Sequence, residues 1–381
     1  MQLKIKQRID NLIGGSLVAI HLLPVRVLGK LLRINHRLDK APKHIIVIKM
    51  LGLGSLILAG DALLALKKKY PTTEFILIGG RALKDTAPML QLFDRIWIID
   101  DSSFLSMLQS AFGIILKCLK LKNKWSFDFE VYSRLTTIFS LYTFSKNRFG
   151  FEFEKVNFRN YLNTHNTYFN QFIPTEENYN LMAVDAGALI TERYYLPQKN
   201  KHKKGQVIVI NNTCSDLSIQ RKLESRQLTE LIQLLYLNTP FEIALAGAPS
   251  DSSSNQLAID NTGIQDNLRI RNWACQLGFE AYIDALANTT VAVVTIDSAP
   301  LHIAARLGIP MVAIWGPTQS QSLAPTWLRE SKLYKEVNLK VHCSPCVHHT
   351  KELPCKGNNF CIKDIEMSSV LNHIKDLLNE K

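Results

Sequence analysis

The sequence predicts an α/β protein made of two sequential doubly wound domains. Short apolar, β-branched runs alternate with helical segments in two series along the chain, a pattern typical of parallel sheets covered on both faces. A polar stretch at 197–205, PQKNKHKKG, separates the two series and is the predicted linker. The chain has 381 residues, of which 46% are hydrophobic, which is enough to bury two cores.

The first predicted domain covers residues 43–196. A glycine turn follows its first strand, but the third glycine of a dinucleotide-binding fingerprint would fall on Ile57, so that fingerprint is not met. Because helices connect successive strands, we expect a parallel sheet. The predicted strands are His44–Lys49, Glu74–Ile78, Arg95–Ile99, Phe127–Val131 and Arg148–Phe151, and the predicted helices are Leu56–Lys69, Phe104–Lys122 and Ser133–Phe144.

The second predicted domain covers residues 206–362, and a predicted C-terminal helix occupies 363–381. We expect this helix to return toward the first domain. The predicted strands of the second domain are Gln206–Ile210, Phe241–Ala246, Val291–Ile296 and Met311–Trp315, and its predicted helices are Ser225–Leu237, Tyr282–Ala287 and Leu301–Leu307.

The strand Val291–Ile296 and the helix after it carry the strongest functional signal. Asp297 and Ser298 offer N-cap oxygens, and Pro300 suits the first helical turn. Free amides and the helix dipole favour an anion at a helix N-terminus that follows a parallel strand. His302 in the first turn favours a bound phosphate over the alternative, an ordinary βαβ unit with a well-capped helix.

Positive charge is concentrated at the N-terminus. The net charge is +12, and residues 1–40 contain eight Lys and Arg against Asp10 and Asp39. The basic amphipathic segment at 1–42 predicts helices, broken near Pro24, that lie on an anionic membrane surface. The alternative is that these helices pack on the first domain with their charges in water.

A membrane span, a secreted location and nucleic-acid binding are not expected. Two uncharged and mainly apolar stretches, Asn11–Val25 and Ser102–Leu116, have 15 residues each, fewer than the roughly 18 to 20 that cross a bilayer. No small-residue cleavage site follows a signal-like apolar segment, so we expect a cytoplasmic protein at the inner face of the membrane. The sequence contains no recognised nucleic-acid module.

Two segments resemble motifs of the heptosyltransferase-like glycosyltransferases, glycosyltransferase family 9. Residues 297–302 match the family's D-S-G-P-x-H stretch, which grips the nucleotide diphosphate, but Ala299 replaces its glycine. Lys49, Gly54 and Ser55 follow the family's lysine-rooted first loop, with Ser55 at the position of the family's aspartate.

Two further segments are similar to that family. Residues 211–213 resemble its small polar turn, and Arg221-Lys222 its K-R-W-P-x-E stretch, with Leu223 and Glu224 replacing Trp-Pro. Without the resemblance, Arg221 and Lys222 would be read as an ordinary solvated basic pair.

The resemblance implies a GT-B fold, in which two Rossmann-like domains face a central cleft, and an inverting glycosyltransferase that requires no catalytic metal. A nucleotide-activated sugar, ADP-heptose by family analogy, would bind mainly to the C-terminal domain. A sugar on a lipid or nascent polysaccharide would approach from the N-terminal domain. The expected donor-binding residues are Thr213, Arg221, Lys222, Asp297, Ser298, Ala299, His302, Gly316, Pro317 and Thr318.

The catalytic base cannot be carried over from the family directly. A serine hydroxyl at Ser55 cannot accept a proton at neutral pH without a base of its own. Glu130 is the candidate replacement, because it lies near the carboxyl end of a predicted strand, where open α/β sheets bind their ligands. The alternative for Glu130 is a carboxylate that caps a helix or forms an ion pair.

Four C-terminal cysteines form the last cluster. Cys343, Cys346, Cys355 and Cys361 have the spacing C-x2-C-x8-C-x5-C, and histidines including His348 lie among them. Such thiols can hold a structural zinc ion in tetrahedral geometry, or they can be reduced and buried. Disulfides are disfavoured in a cytoplasmic chain.

Three functional hypotheses follow. The first is an inverting glycosyltransferase that transfers a sugar, heptose by family analogy, to lipopolysaccharide or a related glycan. The second is a GT-B nucleotide-sugar epimerase or hydrolase, which would share the phosphate site. The third is a catalytically impaired nucleotide-sugar-binding or scaffold protein, which would account for Ser55 most simply.

Overall fold

A computed structural model describes residues 3–198, 205–214, 219–265, 268–347, 349–350 and 352–379. The chain divides into two compact units, Met1–Tyr194 and Tyr195–Lys381. Most of the predicted linker, at 199–204, lies outside the described residues, as does His348.

The first unit contains a six-stranded, fully parallel sheet. Its strand order is β3–β2–β1–β4–β5–β6, so the order reverses beside β1, as in doubly wound sheets. The strands are β1 (His44–Lys49), β2 (Glu74–Gly80), β3 (Arg95–Ile99), β4 (Lys124–Asp128), β5 (Asn147–Glu152) and β6 (His165–Tyr168). The helices are α1 (Leu3–Ile9), α2 (Gly15–Leu32), α3 (Leu53–Leu58), α4 (Gly60–Lys69), α5 (Phe104–Lys120), α6 (Arg134–Tyr142) and α7 (Thr175–Asp185).

Strand β4 begins and ends three residues earlier than predicted. Lys124 pairs with His44 and Asp128 with Ile48 of β1, and all five residues of β4 are buried. The aromatic side chains of Trp125 and Phe127 therefore define the strand, and Glu130 lies in the loop that follows it. Strand β6 was not predicted, because its sequence HNTY is polar and it forms the edge of the sheet.

The N-terminal helices are not broken near Pro24, contrary to the sequence prediction. A π-helical turn at Asp10–Gly14 joins α1 to α2, and α2 continues through Pro24 to Leu32. Among the described residues, one helical stretch, Ile5–Leu32, is long and apolar enough to cross a membrane by length and composition. The sequence argument missed this stretch because it required a run without any charge.

The second unit contains another six-stranded parallel sheet, in the order β12–β11–β10–β7–β8–β9. Its strands are β7 (Val207–Asn211), β8 (Glu242–Ala246), β9 (Ile270–Asn272), β10 (Thr290–Ile296), β11 (Met311–Trp315) and β12 (Tyr334–Asn338). The helices are α8 (Ser225–Asn238), α9 (Ser252–Asp260), α10 (Phe279–Thr289), α11 (Ala299–Leu307), α12 (Ser320–Leu323), α13 (Thr326–Arg329), α14 (Phe360–Lys363) and α15 (Met367–Asn379).

The C-terminal helix α15 packs into the core of the second unit, and its predicted return toward the first domain stays a prediction. Its side chains Met367, Val370 and Ile374 are buried in one apolar cluster with residues of α8 and of the sheet. Their three- and four-residue spacing places them on one helix face, which accounts for this docking.

Candidate functional site

The carboxyl edge of the second sheet carries the predicted donor-binding residues. Strand β10 is buried because both of its faces are covered, and it ends at Ile296, directly before Asp297 and Ser298. Ser298 is the N-cap of α11, but its hydroxyl points to the Ile296 carbonyl, at 3.4 Å, and makes no capping hydrogen bond. Ser298 therefore gives the first turn of α11 no side-chain cap. Pro300 has no N–H and the Leu301 amide donates to the Ser298 carbonyl at 3.1 Å, so the Ala299 amide and the helix dipole are what suit an anion ligand here.

Both predicted cations of this unit are held by carboxylates. Arg221 Nη1 donates to the Asp297 carbonyl at 2.6 Å and lies 3.4 Å from its carboxylate. Lys222 Nζ contacts Asp251 at 2.6 Å, and Thr213 donates its hydroxyl to the same carboxylate at 2.6 Å. The two basic side chains are therefore positioned rather than freely solvated, and Asp297 aligns Arg221 with the start of α11.

His302 occupies a buried position in the first turns of α11 and is 7% exposed. Burial, reinforced by the charges of Arg306 and Arg221 and opposed by Asp297, lowers its pKa to about 4. The imidazole is therefore neutral at pH 7, and its Nδ1 has no hydrogen-bond partner within the described chain. A neutral ring at this position can exchange a hydrogen bond with a ligand but adds no charge.

The turn after β11 supplies a second buried polar group. Thr318 is 1% exposed, and its Oγ1 is likewise unpaired within the described part of the chain. Ile296 pairs with Ile314 across β10 and β11, so this turn and the start of α11 lie at the same sheet edge. A buried hydroxyl without a partner costs free energy, so such groups often mark a binding site.

The cysteine-containing segment supports that turn. Ser344 donates its hydroxyl to the Gly316 carbonyl at 2.6 Å, and the Cys346 amide donates to the Pro317 carbonyl at 3.0 Å. A Cβ at Gly316 would lie 2.4 Å from Cδ1 of Ile362, so glycine allows this close packing. The segment therefore fixes the backbone on which Thr318 is presented.

The four C-terminal cysteines are free thiols that influence one another electrostatically. Burial, followed by the neighbouring Cys346, Cys343 and Cys355, raises the pKa of Cys361 to about 11. Hydrogen bonding from the Asn359 amide lowers the pKa of Cys355. Over the described residues, no group of three or more His, Cys, Asp or Glu side chains is arranged to hold a metal ion, and a structural zinc stays a prediction.

In the first unit, Glu130 connects the loop after β4 to the loop after β1, beside which the strand order reverses. Its Oε1 accepts hydrogen bonds from the amides of Met50 and Leu51 at 2.8 and 2.9 Å, and lies 3.1 Å from Lys49 Nζ. Burial opposes protonation of Lys49, but the charge and hydrogen bond of Glu130, together with the charge of Asp128, outweigh it and raise the lysine pKa. The Oε2 atom of Glu130 makes no hydrogen bond to any described residue, so one carboxylate oxygen is anchored and the other is not.

Ser55 lies in helix α3, beside this ion pair. Its hydroxyl donates to the Gly52 carbonyl at 2.9 Å and also shares a hydrogen bond with Tyr179. Burial raises the pKa of Tyr179, so its phenol is protonated at neutral pH. The structure thus brings Ser55 and Glu130 into one cluster with Lys49 and Tyr179.

Asp128 and Arg159 form a fully buried ion pair behind this cluster. Arg159 Nη2 lies 3.1 Å from Asp128 Oδ2, and the Glu130 amide donates to Asp128 Oδ1 at 3.1 Å. Burial raises the pKa of Asp128 to about 6, although the charge of Arg159 opposes this shift. Asp128 therefore orients the backbone that carries Glu130.

Three members of these clusters were not identified from the sequence. Asp128 is the last residue of β4 and Asp251 lies five residues after β8, and a carboxylate near the carboxyl end of a buried strand is a signal that could have revealed them. Tyr179 lies 130 residues from Lys49 in the chain, in a helix of low amphipathicity, so no local pattern indicates its contact.

Comparison with known proteins identifies the class of this two-sheet molecule. The family profile of glycosyltransferase family 9 (heptosyltransferase) matches residues 154–356, more than half of the chain. The chain therefore belongs to glycosyltransferase family 9, as the motifs indicated.

Individual relatives are distant but cover most of the chain. Lipooligosaccharide heptosyltransferase 2 of Campylobacter jejuni is 22% identical over 333 residues, covering 85% of this chain and 96% of the relative. A family 9 glycosyltransferase structure from Veillonella parvula has a TM-score of 0.71 at 16% identity, covering 91% of this chain and all of the other. The E. coli heptosyltransferase WaaC with ADP-2-deoxy-2-fluoro heptose has a TM-score of 0.63 at 14% identity, covering 88% and 99%. These structures share the GT-B fold with this chain, which confirms the predicted fold class.

Proposed function

We propose that this protein is an inverting glycosyltransferase that transfers a sugar from a nucleotide diphosphate donor to a lipid-linked glycan acceptor. Membership of family 9 and the ADP-sugar analogue in the E. coli structure support ADP-heptose as the donor. The lipooligosaccharide heptosyltransferase relative supports a lipopolysaccharide or related acceptor. With such an acceptor, the enzyme would work in the cytoplasm, peripheral to the inner face of the membrane.

The observation that carries the donor proposal is the start of α11. The uncapped helix start and Arg221, which is held by Asp297, belong to the same sheet edge as two buried polar atoms without a partner among the described residues, His302 Nδ1 and Thr318 Oγ1. Amides and a guanidinium can neutralise a leaving diphosphate without a metal, and the neutral imidazole and hydroxyl can bind its uncharged atoms. Ser298, Ala299, Gly316 and Pro317 would supply backbone, and Thr213 and Lys222 would border the site.

For the acceptor, we assign the general base to Glu130. Its Oε1 is fixed by two amides and Lys49, which leaves Oε2 to take the proton from an attacking hydroxyl. The oxygen of that hydroxyl forms the new bond to the anomeric carbon, and the nucleotide diphosphate leaves with the electron pair of the broken bond. Ser55 and Tyr179 would hydrogen-bond the acceptor rather than deprotonate it.

The test is turnover of radiolabelled ADP-heptose with and without a lipid-linked acceptor. Transfer of label to the acceptor, with little loss of donor when the acceptor is absent, is the expected result. Conversion of the donor alone would favour the epimerase or hydrolase alternative. Tight donor binding without turnover would favour the scaffold alternative.

A further inference from the structure

The helix α2 has two apolar faces, and only one of them is covered by the protein. Val18 is buried against Ile138 of α6 and Leu162, and the α2 residue His21 contacts Tyr142 of α6 through Nε2 at 2.7 Å. On the opposite face of α2, continued by Leu12 in the π-helical turn before it, apolar side chains are exposed and recur at helical spacing. Those of Leu12, Leu23 and Leu31 are 71% to 73% exposed, and the full set is Leu12, Ile20, Leu23, Val27 and Leu31.

A second exposed apolar stripe runs along α5. Its inner face, with Ile114 and Cys118, packs on β1 and β2. The apolar residues of its outer face follow one another at spacings of three, four, four and three residues, and the side chains of Leu105 and Phe112 are 65% and 62% exposed. This outer stripe consists of Leu105, Leu108, Phe112, Leu116 and Leu119. A soluble protein seldom leaves two such stripes in water, so a partner surface is indicated.

The two stripes lie on the same side of the first sheet. Phe139 of α6 packs on the cluster that α5 forms with Ile46 and Ile48, and α2 packs on α6 in turn. Lys6 of α1 forms an ion pair with Asp101, two residues before the N-cap of α5. This contact brings the start of the N-terminal helical segment to the start of α5.

Basic residues border both stripes. Lys30 and Arg33 are exposed at the end of α2, and Lys120 and Lys122 are exposed at the end of α5. Apolar side chains flanked by exposed cations complement an anionic lipid surface, with the apolar groups in the acyl boundary and the cations at the headgroups.

We propose that the outer faces of α2 and α5 form one membrane-docking surface that lies in the plane of an anionic lipid leaflet. This inference rests on the peripheral location given above and extends it by naming the surface and adding α5. Docking in the plane, rather than spanning, follows from the inner face of the N-terminal segment. Asp10 accepts hydrogen bonds from Ser133 and from the amides of Arg134 and Leu135 at 2.6 to 3.0 Å, so the segment is fastened to α6.

The test is flotation of the full chain with vesicles, in the absence of donor and acceptor, so that failure of catalysis does not affect the outcome. We expect the wild type to bind vesicles of phosphatidylglycerol and phosphatidylethanolamine. A triple variant in α2 (I20S, L23S, L31S) and one in α5 (L105S, F112S, L119S) should each bind at least about tenfold more weakly, because each removes several buried aliphatic or aromatic groups. Neutralising Lys30, Arg33, Lys120 and Lys122 to Gln should weaken anionic-vesicle binding by about tenfold or more and leave phosphatidylcholine binding unchanged.

A matched control variant replaces exposed leucines of the second unit (L237S, L257S, L268S), which should not alter vesicle binding. Far-UV circular dichroism checks that each variant is folded. An alkaline carbonate wash should release the wild type from vesicles. Loss of binding from the α2 variant alone, resistance to the wash, or dimerisation without vesicle binding would each overturn the proposal.

Discussion

Glu130 is the residue on which the chemistry of the first unit depends. One of its oxygens is held by two amides and a lysine, while its backbone is oriented by the buried Asp128. An ordinary capping or ion-paired carboxylate would need only the anchored oxygen. The catalytic hypothesis concerns the other oxygen, Oε2. Substitution of Glu130 can separate the structural role of Oε1 from the catalytic role proposed for Oε2.

The substitution Glu130→Gln is expected to lower kcat by about 10²- to 10⁴-fold, because an amide cannot accept the acceptor's proton. Its carbonyl can still accept the two amide hydrogen bonds, so we expect a loss of only about 1 to 3 kcal/mol in the free energy of unfolding. ADP-heptose affinity, measured by calorimetry, should be unchanged. Wild-type turnover by this variant would eliminate Glu130 as the base.

A second substitution, Ser55→Asp, introduces the carboxylate that the resemblance to the family implies at this position. If Glu130 is the base, the variant should gain no rate, since an additional carboxylate beside the Lys49–Glu130 pair has no proton to remove. Steady-state kinetics with Ser55→Ala as the control would measure this. A gain of about tenfold or more would instead assign the base to position 55.

His302 should make the stability of the protein depend on pH. Its pKa is about 4 in the folded chain against 6.5 ordinarily, so the unfolded state takes up the proton first as the pH falls. Wild type should therefore lose up to about 3 kcal/mol relative to His302→Asn between pH 6.5 and pH 4. Chemical denaturation across this range measures the difference; a constant gap between the two proteins would mean that the imidazole is not buried as described.

At the scale of elements, the N-terminal helical segment is part of the first unit rather than an appendage. The carboxylate of Asp10 accepts hydrogen bonds from the Ser133 hydroxyl and from the amides of Arg134 and Leu135 at the start of α6. It therefore caps α6 from another part of the chain, as an N-cap side chain would. The sequence allows two arrangements for these helices, packing on the first domain or lying on a membrane. One face of α2 packs on the first unit, and the membrane hypothesis concerns the exposed face.

Removal of this cap should loosen α6. Asp10→Ala is expected to cost about 1 to 2 kcal/mol, because it leaves the amides of Arg134 and Leu135 without their acceptor. Hydrogen exchange of residues 134–138 should become faster in this variant. Ser16→Ala, at an exposed position of α2, is the control, and equal exchange in both variants would show that Asp10 does not cap α6.

Elements that carry apolar, β-branched sequence could be predicted, and polar edge elements could not. Strands such as His44–Lys49 and Met311–Trp315 were identified because they are buried on both faces and read as continuous apolar runs. Strands β6, β9 and β12 were missed, since an edge or near-edge strand can keep polar side chains and still pair along its backbone.

The sequence predicts the fold of the whole molecule better than it predicts the side-chain contacts at the candidate sites. Two alternating series of strands and helices were enough to predict two parallel sheets. The motif residues were enough to predict a ligand site at the start of α11, at the carboxyl edge of the second sheet. The contact of Lys49 with Glu130 joins residues 81 apart, and the Tyr179 contact is more distant still. Such contacts depend on the tertiary fold, so composition, periodicity and local spacing do not contain them.

Binding of the donor nucleotide should protect the second unit and leave the first unit unchanged. Hydrogen exchange with and without ADP should show protection at 297–305 and 316–319 of the second unit, because the start of α11 and the buried polar atoms His302 Nδ1 and Thr318 Oγ1 belong to these segments. Residues 49–56 of the first unit should be unaffected by ADP alone. Protection confined to the first unit would reverse the assignment of donor and acceptor.

The most direct measurement for the central claim is transfer of labelled heptose from ADP-heptose to a lipid-linked acceptor by the purified wild-type chain, with Glu130→Gln assayed in parallel. The proposed function predicts label in the acceptor product with inverted anomeric configuration, and almost none with the variant. No acceptor product from ADP-heptose or from any other nucleotide sugar, despite a folded enzyme, would contradict it.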